Sequence, residues 1–97
     1  MQPIRVKLNE VVWRIRFVKS TAISKRADGT IDWPPGRHPT ITIRDSLKGR
    51  VRLEVIIHEC IHGSLPLLDE QAVTDSARWI SQALWKVGYR CPLNPPS

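Results

Sequence analysis

Cysteine is scarce in this sequence, and what there is suits no disulfide. Cys60 and Cys91 are the only two, and Cys60 lies inside a stretch that reads as helix. A disulfide-stapled fold is excluded. Met1-Gln2-Pro3 leads straight into mixed charged and apolar residues, so no export signal is expected, and two unpaired thiols then point to a reducing, cytoplasmic setting. No apolar run approaches the roughly 20 residues of a membrane span, which excludes a membrane protein of the helical kind. Acidic residues are also in short supply: nine against 15 basic ones, for a formal net charge of +6. Ninety-seven residues make one domain, near the lower end of what a single core sustains.

Histidine is rare as well, with three in the chain. Two of them fall in His58-Glu59-Cys60-Ile61-His62, which reads H-E-x-x-H. On a helix, residues four apart stand one above the other, so two imidazoles at this spacing are able to hold one metal ion from one side. Glu59 is turned away from both yet stays close enough to take a proton from a water at the metal. The plain alternative is an amphipathic helix that happens to expose two histidines and a glutamate. Context favours zinc: Val55-Ile56-Ile57 precede the motif, and Gly63 follows it as the expected helix C-cap.

The rest of the chain supplies a small α+β frame. Ile4, Val6 and Leu8 alternate with Arg5 and Lys7; Trp13, Ile15 and Phe17 alternate with Arg14 and Arg16. With Asn9-Glu10 as a turn, these form a hairpin. Asp28-Gly29 reads as a turn and Asp32-Trp33-Pro34-Pro35-Gly36 as a loop. Thr40 to Arg44 is a third, β-branched strand. A helix capped by Asp45 or Ser46 is expected from about Leu47 to His62, with Leu53, Ile56, Ile57 and Ile61 on its apolar side. A second, capped by Asp69, runs to about Val87, with Gly88 beyond it. Cys91 to Ser97 is a proline-bearing tail. The expected fold is a three-stranded sheet with two helices packed on one face.

A catalytic zinc takes three protein ligands and keeps a position for water. Asp69, Glu70 and Asp75 are the acids downstream. Glu70 is the preferred third ligand, because a second helix folding back antiparallel brings its first turn to the end of the first helix, where His62 sits. Asp75 is the next choice, or an acceptor that orients a ligand histidine. Asp69 is better placed as a cap, and His38 as a loop residue.

The strand Thr40 to Arg44, the helix ending at His62 and the helix beginning near Glu70 together resemble the minimal zincins, relatives of the SprT-like and ImmA/IrrE-like metallopeptidases. Small zincin-like proteins of phages and bacteria are the nearest likeness; they share a hairpin tryptophan like Trp13, a loop like Asp32-Trp33-Pro34 and a tail like Ala83 to Arg90. The resemblance implies zinc at His58 and His62, Glu59 as general base and a gluzincin-type acidic ligand at Glu70. It also implies that Thr40, Ile41, Thr42 and Ile43 form the edge strand along which a peptide substrate lies. Peptide deformylases share the helix motif but need an upstream cysteine ligand, and none precedes His58.

The expected function is zinc-dependent hydrolysis of peptide bonds, with Tyr89 or an arginine as a candidate oxyanion donor. The competing expectation is a non-catalytic zinc-bearing module that binds a protein or nucleic acid through its basic surface. Glu59 favours the enzyme, since a pure binding module has no use for it. Arg5, Lys7, Arg14, Arg16 and Lys19, with Arg44, Lys48, Arg50 and Arg52, make up much of the positive charge. No nucleic-acid-binding motif accompanies them, so the sequence favours a solvated basic surface.

Overall fold

The computed structural model describes residues 4–19, 23 and 27–91; Met1-Gln2-Pro3 and all of the expected tail except Cys91 lie outside them. The elements run β1 (Ile4–Leu8), β2 (Val11–Val18), β3 (Gly29–Ile31), β4 (Thr40–Arg44), α1 (Gly49–Ser64) and α2 (Glu70–Val87). The hairpin forms as expected, with Leu8 opposite Val11. Asn9 (φ 50°) and Glu10 (φ 66°) are both left-handed, the backbone that a two-residue turn needs to match the twist of its strands.

The sheet has four strands in the order β1-β2-β4-β3. β2 and β4 are parallel, and the other two pairs are antiparallel. The additional strand is β3. Gly29, expected in a turn, begins it: Arg44 N–H donates to Asp28 O (2.8 Å) and Asp32 N–H to Thr40 O (3.1 Å). This overturns the expectation for β4. Thr40 to Arg44 is an interior strand, its main chain engaged by β2 on one side and β3 on the other. Ile41 and Ile43 are wholly buried, so Thr40, Ile41, Thr42 and Ile43 offer no edge to a peptide.

Trp13, Ile15, Ile41 and Ile43 form the core, with Val55, Ile56 and Cys60 of α1 packed against them. The alternation read in β2 and β4 puts these side chains on one face. Only α1 lies broadly against that face. α2 packs mainly on α1, burying Val73, Ala77 and Ser81, so the helices make a second and third layer rather than sharing the sheet. They are antiparallel: Arg50, at the start of α1, donates to Ser81 Oγ late in α2 (3.1 Å).

The helix ends differ from expectation at α1 alone. Its N-cap is Lys48, which makes no side-chain cap bond; neither Asp45 nor Ser46 caps it. Gly63 does not stop it. The helix continues to Ser64, and Gly63 is buried within its last turn. A Cβ there would stand 2.9 Å from Leu8 Cδ1 and 3.4 Å from Trp13 Nε1, so the glycine serves close helix–sheet approach. Pro66 then bars the helical conformation at Leu65. α2 follows expectation: Ala72 N–H donates to Asp69 Oδ1 (2.8 Å), and Gly88 (φ 107°) closes it. Among the described residues no helix is long and apolar enough to cross a membrane.

Candidate metal centre

The last two turns of α1 and the first turn of α2 meet beside β3. His58 and His62, one helical turn apart, bring their Nε2 atoms to 3.2 Å of each other. Glu70 faces both rings, with one carboxylate oxygen 3.0 Å from His58 Nε2 and the other 2.8 Å from His62 Nε2. The antiparallel fold-back predicted this meeting. It works because the 65–69 connection is short and Asp69 fixes where α2 begins.

Glu59 reaches toward Gly29 of β3 and is only 5 % exposed. The ligand-type atoms of His58, Glu59 and His62 lie within 4.8 Å of one another. Burial, and secondarily the charge of Glu70, push the Glu59 carboxyl up from 4.5 to about 7. Its space exists because residue 29 is glycine: a Cβ there would stand 2.8 Å from Val55 Cγ1 and 3.3 Å from Glu59 Oε2.

These groups wall a cleft of about 580 Å³, and every residue lining it falls between Ala27 and Glu70. Trp33 lines one side. It is 55 % exposed and stacks on buried Trp13, with ring centroids 6.4 Å apart and planes 15° from parallel. β3 supplies another wall. Asp28, Thr30 and Asp32 turn their main-chain groups toward β4, as the alternating antiparallel ladder requires. The N–H and C=O groups of Gly29 and Ile31 therefore face the open edge.

The donor set could hold a metal ion: two imidazole nitrogens stand 3.2 Å apart, about the spacing of two nitrogens on one tetrahedral ion, with carboxylates beside them. Of the two acids, Glu70 is within 3.0 Å of both nitrogens, and Glu59 stays within 4.8 Å of a ring nitrogen of each histidine.

Other candidates fall elsewhere. Asp75 accepts from Gln71 Nε2 (3.0 Å) at the exposed surface, and Asp69 is the cap. His38 does not line the cleft; Thr40 Oγ1 donates to its carbonyl (2.8 Å). Tyr89, 64 % exposed beyond α2, is not at the cleft, nor is any arginine or lysine among the described residues. Gly29, Ile31 and Trp33 escaped sequence reasoning as site residues. Three residues are too few to show a strand period, and the tryptophan sits in a proline loop whose position only the sheet fixes. No known protein family, curated protein or solved structure matches this chain.

Proposed function

We propose that this protein is a zinc-dependent peptidase. The observation that carries the reading is the convergence of His58 Nε2, His62 Nε2 and both Glu70 carboxylate oxygens at one point of a cleft, with the buried Glu59 carboxyl alongside. His58, His62 and Glu70 would hold the ion. Zinc at such a site supplies a Lewis acid that makes a water nucleophilic near neutral pH and polarises a carbonyl.

The chain's own residues do the rest. Glu59 accepts the proton of the attacking water and returns it to the leaving amine, a task suited to a buried carboxyl beside the two histidines. An extended substrate pairs with the outward main-chain groups of Gly29 and Ile31 by strand addition, in place of the interior β4. Trp33 offers an apolar surface at the rim. Among the described residues neither Tyr89 nor an arginine is at hand for the oxyanion, so main-chain N–H groups of the cleft walls take that part.

Elemental analysis of the purified protein tests the metal: about one equivalent of zinc is expected, lost in His58→Ala and in Glu70→Ala. A quenched-fluorophore peptide library tests the chemistry. Glu59→Gln should keep the zinc and lower turnover by at least a hundredfold. Equal turnover in wild type and Glu59→Gln would discard the catalytic assignment, and protein purified without zinc that takes none up would discard both.

A further inference from the structure

The face of the sheet turned away from α1 carries a different message. Strand alternation places Arg5 and Lys7 of β1, Arg14 and Arg16 of β2, and Arg44 of β4 on it, among the threonines of β3 and β4. None of the nine acidic residues lies in any strand, and none occurs in residues 1–3, 20–22, 24–26 or 92–97. The helices, by contrast, mix both signs. The charge is therefore sorted by layer.

Two of these bases have partners at the rim: Lys7 with Glu10 at the hairpin turn (3.3 Å) and Arg44 with Asp28 (3.4 Å). Arg5, Arg14 and Arg16 make no ion pair with the described residues. Arg5 and Arg14 are directly opposed across the β1–β2 ladder, an arrangement of like charges that opposes pairing. Arg14 Nε is also shielded from solvent without a hydrogen-bond partner. A folded protein that keeps two facing arginines, a third one pleat along, and no carboxylate among them is arranged for an anion from outside.

We propose that this face binds the phosphodiester backbone of a nucleic acid. Three arginines present planar forks suited to phosphate oxygens. Thr42 and Thr30, side by side next to Arg16 in the sheet, add hydroxyls of the kind that contact phosphates. No aromatic side chain lies on the face, so bases are not stacked and recognition is of the backbone, independent of sequence. Val12, at 53 %, is the only large apolar residue of these strands strongly exposed on that side. That leaves little to insert into a membrane.

The test is fluorescence anisotropy of the whole protein with labelled 20-base-pair duplexes of DNA and of RNA, in rising salt. Two triple variants are compared, each lowering the formal charge of +6 by three: Arg5→Gln/Arg14→Gln/Arg16→Gln on the sheet, and Arg78→Gln/Lys86→Gln/Arg90→Gln on and after α2. Wild type should bind at least one duplex, with a log–log salt slope of about −3 for three neutralised phosphates. The sheet variant should lose affinity tenfold or more, and the α2 variant threefold or less. Arg16→Gln alone, at an exposed position, should still lose about threefold if the triple variant does not fold. Equal losses in the two triple variants would reduce the effect to net charge and overturn the assignment. So would no binding to either duplex, or tighter binding to polyglutamate or to vesicles of anionic lipid.

Discussion

At the scale of single residues, the role proposed for Glu59 is set against stability. Its carboxyl is raised from 4.5 to about 7, first by burial and then by the Glu70 charge. Below the unfolded value both states hold the proton and Glu59 costs nothing. As pH rises through the folded value, that advantage is lost, because the folded protein must carry a buried anion. The difference amounts to roughly 3 kcal/mol at most. Glu59→Gln removes it. In metal-free protein under chelator, the variant should melt within a degree or two of wild type at pH 4 and about 10 °C higher at pH 8, measured by circular dichroism. Equal melting temperatures at pH 8 would show that Glu59 is better hydrated than its burial implies.

At the scale of elements, the approach of β3 to α1 is set by Gly29. A methyl group there meets Val55 Cγ1 at 2.8 Å, and Val55 is β-branched and stiff. Gly29→Ala should destabilise by about 1–2 kcal/mol, and in a Val55→Ala background the same substitution should cost distinctly less, a coupling that a double-mutant cycle in urea reads directly. The same pair of elements marks the boundary of what the sequence reveals. β1, β2, β4 and α2 carry their period in their own residues, and α1 is signalled by its motif, so all five were legible. β3 has three residues and no period, and its existence depends on β4 having a free side. The edge role of β4 was implied by the resemblance to the minimal zincins, and with β3 unread nothing in the sequence opposed it. Gly63 was misread for a related reason: a glycine after a histidine looks like a stop, while the contact with Leu8 and Trp13 that explains it comes from strands some 50 positions earlier. His58, Glu59, His62 and Glu70 were legible because one helical spacing and one short turn bring them together.

At the scale of the whole molecule, charge is distributed by layer. The sheet's outer face repels itself, while the cleft on the far side of the core is lined by carboxylates and histidines. However the charges pair, a net +6 is left over. Added salt should therefore screen more repulsion than attraction. Raising sodium chloride from 20 to 200 mM should increase the melting temperature by a few degrees; a fall would mean that the paired charges, Arg50–Glu54 and Arg44–Asp28 among them, dominate.

Among the described residues the cleft is walled by those from Ala27 to Glu70, a stretch of less than half the chain. The hairpin before it and most of α2 after it touch the cleft only by holding its walls in place, as Trp13 does beneath Trp33. This makes the stretch a cassette. The outer half of the hairpin and the far turns of α2 are free to vary in length and composition, and even to acquire a second binding role, without moving a group of the His58, His62 and Glu70 cluster.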